Sequence, residues 1–301
     1  MWSKLLIFGN EVTGYDFFNH LAYVGAVVVA TLLLRQFLEA ATVPTLIGLR
    51  FNKETSGKSL WRWGCAFVLF MLLIVLTVVA DTLANDPISM LFLHAKVDNY
   101  FANIFVGPFA VLFSSLLLIN SPLKTLDVAA PCMATALIFF KIACFCAGCC
   151  YGVEWSGGLY NEDTERVELP IQLIEAACAV IMFVILMVLA KKKKRRHGTL
   201  YPLFILMYCG SRFVSEFWRD DYPDVWGPLK AYHIQCIIGF VEGAVMMAVV
   251  LIWGEKITAF FEGKSSALVK RFEERYAKAG RSQPAASDVN PKKTNDKDNK
   301  D

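Results

Sequence analysis

Four cysteines occur within the stretch KIACFCAGCCYG at residues 141–152. Thiolates bind soft metal ions and take part in redox chemistry. On a continuous α-helix, which turns about 100° per residue, Cys146, Cys149 and Cys150 share one side, while Cys144 lies roughly opposite Cys146. A four-cysteine metal site within one helix is therefore poorly formed, and we expect no metal here. Packing by small, polarizable side chains is favoured over a metal or redox role.

The same projection places Lys141, Gly148 and Gly152 within about 20° of one stripe. Two glycines four residues apart let another backbone or a lipid approach closely. Close helix packing explains the glycines by themselves, whereas the lysine favours one wall of an anion-binding pocket. If the helix instead ended at Gly148, Cys149 and Cys150 would turn outward as a neighbouring pair.

Other ionisable and amide side chains recur in the apolar segments that follow. They are Gln172, Glu175, Arg212, Glu216, Arg219, His233 and Gln235. Each is a candidate for function, because an ionisable group inside a membrane costs at least a few kcal/mol. One interpretation is a structural ion-pair network that joins four helices. The other is a pocket in which Lys141 and Arg212 bind an anionic lipid headgroup, since a guanidinium can grip a phosphate with two hydrogen bonds.

These residues require helices long enough to cross a membrane. The chain has 301 residues, of which 56% are hydrophobic and 19% charged, with mean hydropathy +0.46. It is therefore more apolar than an average soluble domain, in which about a quarter of residues are charged. Apolar runs of about twenty residues predict an all-α, polytopic integral membrane protein with seven transmembrane helices. The predicted spans are 17–38, 61–80, 103–119, 127–148, 171–190, 199–218 and 232–253.

Basic residues predict how the chain is oriented. Lys and Arg concentrate in the first and fifth connections between spans and in the tail, and the third connection holds Lys124. Because such residues favour the cytoplasmic side, we expect the amino terminus outside and the carboxyl terminus cytoplasmic. The run KKKKRRH at 191–197 then anchors a helix end against anionic lipid, and we expect no nucleic-acid partner. The predicted organisation is a seven-helix transmembrane catalytic domain at 1–253, a cytoplasmic amphipathic surface helix at 254–276 and a disordered charged tail at 277–301.

The order of these motifs resembles the prolipoprotein diacylglyceryl transferase family. The resemblance covers about residues 127–253 and is most specific in P-x-Q-L-x-E, from Pro170 to Glu175, and R-x-x-x-E-F-x-R, from Arg212 to Arg219. It implies a multi-pass enzyme of the bacterial cytoplasmic (inner) membrane. This enzyme would transfer a diacylglyceryl group from phosphatidylglycerol to the lipobox cysteine of a prolipoprotein signal peptide, among membrane lipids and with no cofactor.

The resemblance also implies roles for the candidate residues. Arg212, Glu216 and Lys141 would be catalytic. The substrate-binding set would be Arg212, Lys141, Cys144, Gly148, Gly152, Gln172, Glu175, Arg219 and Gln235. No metal ligand is implied.

The chain also departs from the family pattern. Lys141 stands where the family has arginine, Cys144 where it has asparagine and Cys149 where it has glutamate. The family's His-Gly-Gly at the start of the third span is absent, and the sequence there reads NIFVGPFAV. The general base is thus left open between His94 and His233. A divergent paralogue with another lipid or acceptor and a non-catalytic lipid-binding or transport protein are the alternatives.

Overall fold

The computed structural model describes residues 5–7, 10–40, 107–108, 122–192, 195–220, 224–226 and 229–278. The predicted span at 61–80, nearly all of the span at 103–119, His94 and the tail beyond residue 278 lie outside this set.

The described chain is mostly helical. Its helices are α1 (Gly14–Ala40), α2 (Pro122–Ala147), α3 (Ile171–Ala190), α4 (Leu200–Ser215) and α5 (Ala231–Lys278), and a 3-10 turn, Glu216–Trp218, follows α4. Parts of four helices are long and apolar enough to cross a membrane: Gly14–Leu33, Pro122–Ala147, Ile171–Ala190 and Ala231–Phe260. They coincide with the first, fourth, fifth and seventh predicted spans. The α4 helix lies within the sixth predicted span, 199–218. It has 16 residues and is therefore about 24 Å long. The total of seven spans and the sidedness of the termini stay predictions.

The described residues also form three short antiparallel hairpins, which the expectation of an all-α chain missed. The pairs are β1 (Leu5–Ile7) with β2 (Asn10–Val12), β3 (Glu154–Asn161) with β4 (Arg166–Glu168), and β5 (Asp224–Trp226) with β6 (Leu229–Lys230). The β3–β4 hairpin connects α2 to α3, and the β5–β6 hairpin precedes α5. Both therefore lie beside the helix ends that carry the candidate residues.

The α2 helix is the central helix of the described fold. In its most apolar stretch 56% of residues are buried, against 28% in α3 and 22% in α5. Small side chains such as Ala130 and Ala134 let α2 pack closely against aromatic residues of α4, including Tyr201 and Phe204. The outer helices α3 and α5 keep many aliphatic side chains exposed, as expected of surfaces that face lipid.

A buried aspartate ties α2 to the start of α4. Asp127 is fully buried, and its carboxylate accepts hydrogen bonds from the backbone N–H groups of Gly198 (2.8 Å) and Leu200 (3.0 Å). It also pairs with Arg195 at 2.8 Å. The carboxylate thus satisfies donors that the first turn of α4 would leave unpaired. Asp127 fixes the relative position of α2 and α4 at this end.

The α5 helix continues without a break through the predicted domain boundary at residue 253. It runs as one helix from Ala231 to Lys278, so the predicted surface helix at 254–276 is its extension. The location of that extension on the cytoplasmic membrane surface stays a prediction.

We expect Asp127→Ala to lower the free energy of unfolding by about 2 kcal/mol, because it leaves buried N–H donors without their acceptor. Thermal unfolding of the purified chain in detergent would measure this loss. The matched control is Asp220→Ala, since Asp220 is exposed and pairs with exposed Arg166 at 3.7 Å. Equal unfolding midpoints for the two variants would contradict the assigned role of Asp127.

Candidate functional site

One buried carboxylate gathers cations from three segments of the chain. Glu175, in the second turn of α3, pairs with Lys141 of α2 at 2.7 Å between Oε2 and Nζ. Its Oε1 accepts a hydrogen bond from Arg212 Nη1 of α4 and another from Ser215 Oγ at 2.8 Å. Its Oε2 lies 3.5 Å from Nη1 of Arg219. Glu175 therefore interacts with all three basic residues of the predicted site.

A second carboxylate completes this cluster. The 3-10 turn after α4 brings Glu216 back over Arg212, with 3.0 Å between Oε2 and Nη2. The same oxygen lies 3.6 Å from Nε of Arg219. The two ion pairs have the i,i+4 and i,i+3 spacings at which side chains on a helix are neighbours.

The cluster is buried and carries a surplus of positive charge. Arg212 is 3% exposed, Lys141 7%, Glu175 8%, Arg219 1% and Glu216 0%. Three cations and two carboxylates give a net charge of plus one. Ion pairs persist in such surroundings only when their geometry offsets the cost of desolvation. An ion-pair network is therefore present, but among the described residues its pairs join three helices, α2, α3 and α4, and not the four that were predicted. Its surplus charge is compatible with an anionic ligand.

Backbone contacts position Arg219 beside the loop that follows α2. Gly152 forms an antiparallel bridge with Arg219, and Val153 N donates to Trp218 O at 2.9 Å. A Cβ at position 152 would lie 2.5 Å from the carbonyl oxygen of Leu169. Gly152 is therefore required for close approach between these segments.

The predicted single stripe of Lys141, Gly148 and Gly152 is wrong. The α2 helix ends at Ala147, and Gly148 adopts a φ of 71°, which favours glycine. Asn161 Nδ2 donates to the freed carbonyl of Gly148 at 3.0 Å. Gly148 is thus the turn that ends α2, and Gly152 belongs to an extended segment.

This early helix end also changes the grouping of the cysteines. The Sγ atoms of Cys144, Cys149 and Cys150 lie within 4.8 Å of one another. The continuous-helix projection that grouped Cys146 with Cys149 and Cys150 is therefore wrong, and the observed helix end agrees with the alternative in which α2 stops at Gly148.

The cysteine cluster is linked to the ion-pair cluster. Gln172 Nε2 donates to the carbonyl of Cys149 at 2.8 Å, one turn before Glu175 on α3. Gln172 therefore has a structural role in holding the turn after α2. Hydrogen bonds from the other two thiols lower the pKa of the Cys150 thiol, and the positive charges of Arg219 and Lys141 lower it further.

The start of α5 contributes an aromatic wall and a buried histidine. The guanidinium of Arg212 lies 5.1 Å from the ring centroid of Tyr232. His233 is fully buried, and its Nδ1 accepts the N–H of Lys230 at 2.9 Å. Nδ1 is therefore occupied and is poorly placed to act as the general base. Among the described residues, Gln235 Oε1 has no hydrogen-bond partner.

Sequence reasoning missed Ser215, Tyr232 and Asp127. Ser215 follows Arg212 at i+3, the spacing at which side chains share a helix face, and this signal could have identified it. Asp127 is the first residue of the predicted span 127–148, and an acidic residue at that position indicates the end of an apolar segment. No sequence signal distinguished Tyr232 from other interfacial aromatic residues.

We expect the contributions of Lys141 and Glu175 to the free energy of unfolding to be strongly coupled. Glu175→Leu alone should cost about 3–5 kcal/mol of stability, because it leaves buried cations without their counter-charge. Adding Lys141→Met should recover part of that loss, which a double-mutant cycle of thermal unfolding measures. The same cycle on the exposed pair of Arg166 and Asp220 should give at most about 1 kcal/mol. Coupling as weak as in that surface pair would contradict the buried network.

Gly152→Ala should lower stability by about 1–3 kcal/mol, because its Cβ would overlap the Leu169 carbonyl. Gly210→Ala is the matched control, since no described atom lies within 4 Å of a Cβ at that position. There alanine should be neutral or slightly stabilising. Comparable destabilisation by both substitutions would refute the close approach at Gly152.

Comparison with known proteins agrees with the motifs that form this site. Residues 100–249, about half of the chain, match the model of the family described as prolipoprotein diacylglyceryl transferase. The chain is also 28% identical over 105 residues to the phosphatidylglycerol–prolipoprotein diacylglyceryl transferase of Clostridium tetani (strain Massachusetts / E88). That match spans 33% of this chain and 42% of the relative. Together with the buried cluster of Lys141, Glu175, Arg212, Glu216 and Arg219, these matches show that the chain is a divergent member of the prolipoprotein diacylglyceryl transferase family.

Proposed function

We propose that this protein transfers a diacylglyceryl group from phosphatidylglycerol to the lipobox cysteine of a prolipoprotein. The reaction takes place at the outer face of the bacterial cytoplasmic (inner) membrane. The single observation that supports this proposal most strongly is the buried position of Arg212, which is held by one carboxylate from α3 and one from the 3-10 turn after α4. A guanidinium fixed in this way can bind the phosphate of a lipid with little further loss of side-chain freedom.

The charges of the site determine what each group does. Phosphatidylglycerol enters from the membrane, and its phosphate exchanges into the contacts that Arg212 and Lys141 make with Glu175. Glu216 and Arg219 keep Arg212 in place, while Gly152 allows Arg219 to approach the loop after α2. Gln172 holds the turn that carries Cys149, and Gln235, in the second turn of α5, has a buried Oε1 that makes no hydrogen bond to the described residues. The surplus positive charge favours the anionic lipid.

The reaction is a substitution at a carbon atom of glycerol. The acceptor thiol loses its proton, and the thiolate sulfur forms a bond to the terminal glycerol carbon of the diacylglyceryl group. The bond between that carbon and the phosphate oxygen breaks, and glycerol phosphate leaves with the electron pair. The substitution requires no oxidant or reductant. The cations at Arg212 and Lys141 stabilise the charge that develops on the leaving phosphate.

A paralogue that acts on another acceptor or lipid is the second candidate. Two departures favour it: Cys144 and Cys149 occupy polar positions of the family motif, and His233 is buried with Nδ1 occupied. Failure to restore lipoprotein maturation in a host depleted of its own enzyme, with another transfer product accumulating, would favour the paralogue. Lipid binding without any turnover would favour a non-catalytic lipid-binding or transport protein.

Arg212→Lys should lower kcat/KM for transfer by about 100-fold or more, because lysine keeps the charge but loses the two-pronged hydrogen bond. The assay incubates the purified protein with phosphatidylglycerol vesicles and a lipobox peptide, and mass spectrometry measures the diacylglyceryl adduct on the peptide cysteine. Arg166→Lys is the matched control, because Arg166 is exposed.

Two results would overturn the proposal. One is a wild-type protein that forms no adduct while a known transferase is active under the same conditions. The other is an Arg212→Lys variant with wild-type kcat/KM.

A further inference from the structure

Three thiols converge at the end of α2 next to the proposed site. The left-handed backbone conformations of Gly148 and Cys150, with φ of 71° and 60°, fold the chain back after Ala147. As a result the Sγ atoms of Cys144, Cys149 and Cys150 lie within 4.8 Å of one another. Cys149 is exposed, while Cys144 and Cys150 are half-buried. An ion can therefore reach the cluster through Cys149.

We propose that Cys144, Cys149 and Cys150 bind one thiophilic divalent metal ion of the zinc type and leave its fourth coordination position open. Thiolates favour such ions, and zinc sites with three protein ligands keep a position for water or substrate. A tetrahedral ion with Zn–S bonds of about 2.3 Å places its sulfur atoms about 3.8 Å apart. The turn after Ala147 therefore needs only a small contraction to form the site.

The surroundings of the three thiols suit this ion. Three thiolates and one divalent cation carry a net charge of minus one, which the neighbouring cationic cluster offsets. Lys141 precedes Cys144 by one helical turn, and Gly152, two residues after Cys150, is bridged to Arg219. Gln172 fixes the backbone of Cys149 through its carbonyl. This contact holds the ligand loop without using a sulfur atom.

The open position fits a thiol from outside the chain. This part of the inference rests on the proposed function, in which the acceptor is a cysteine thiol that must lose its proton. Coordination to a metal ion deprotonates a thiol outright. The proton passes to solvent, the metal keeps its oxidation state, and the bound sulfur retains its electron pair for attack. The metal would thereby supply the activation that neither His233 nor a His-Gly-Gly sequence provides.

Cobalt substitution tests the site directly. The purified full chain, with its thiols reduced and counted by a colorimetric reagent, is titrated with Co²⁺ and then with Zn²⁺. We expect one equivalent of Co²⁺ to produce thiolate charge-transfer absorption and visible bands of tetrahedral cobalt, and Zn²⁺ to abolish both. Cys149→Ser and Cys144→Ser should lose the bound ion. Cys146→Ser should retain it, because Cys146 lies in the same stretch but outside the cluster.

The result that overturns the site is reduced wild-type protein without these bands, or a Cys149→Ser variant that retains them. Cys149 is exposed, so its serine variant should fold, and thermal unfolding checks that it does. Retention of the bands by Cys149→Ser therefore cannot be attributed to misfolding.

A second titration tests the open position. A lipobox peptide added to the cobalt-loaded protein should increase the charge-transfer absorption as a further thiolate binds, and the same peptide with serine for cysteine should not. No increase with the cysteine peptide overturns the role in thiol binding. Neither titration contains phosphatidylglycerol, so metal binding is measured independently of diacylglyceryl transfer. A protein that binds the metal but catalyses no transfer would refute the proposed function alone. Transfer by metal-free protein would refute this inference alone.

Discussion

The carboxylate of Glu175 holds the described site together. It lies in the second turn of α3 and interacts with a lysine from α2, an arginine from α4 and a second arginine beyond the 3-10 turn. A buried carboxylate in an apolar helix is unfavourable unless its charge is matched. Each of these segments must therefore stay in its place for the others to be stable. The geometry of Arg212, which is the centre of the proposed chemistry, follows from this single requirement.

At the opposite end of the helix bundle, a second buried carboxylate holds separate segments of the chain together. Asp127 lies fourteen residues before Lys141 on α2, about 21 Å away along a helix. It pairs with Arg195 and accepts two backbone N–H groups at the start of α4. A buried acid thus connects α2 to α4 near each end, while the apolar side chains between them fill the core. The paired ends orient the helices, and the small residues of α2 allow them to come close.

Much of the ion-pair cluster could be predicted from sequence, because residue type within a single apolar segment identifies its members. Ionisable residues in apolar segments are costly, and the family motifs contain the same positions, so Lys141, Glu175, Arg212, Glu216 and Arg219 were all identified. The end of α2 was left open between Gly148 and a helix that continues to Gly152, because no proline or polar run marks it. It depends on Gly148 in a left-handed conformation and on the hydrogen bond from distant Asn161.

The projection onto a continuous helix affected several later predictions. It placed Gly148 and Gly152 on a helical stripe that does not exist, and it separated Cys144 from Cys149 and Cys150. Asp127 was missed for a related reason, since its partners lie about seventy residues away along the chain. Contacts of this range depend on the packing of whole helices, and spacing within one segment does not show them.

The most direct test of the central claim is an experimental structure of the protein in a bilayer that contains phosphatidylglycerol. We expect a lipid phosphate oxygen within hydrogen-bond distance of Arg212, with Glu216 still paired to its guanidinium. A phosphatidylglycerol headgroup bound elsewhere, with Arg212 engaged only by Glu175 and Glu216, would contradict it.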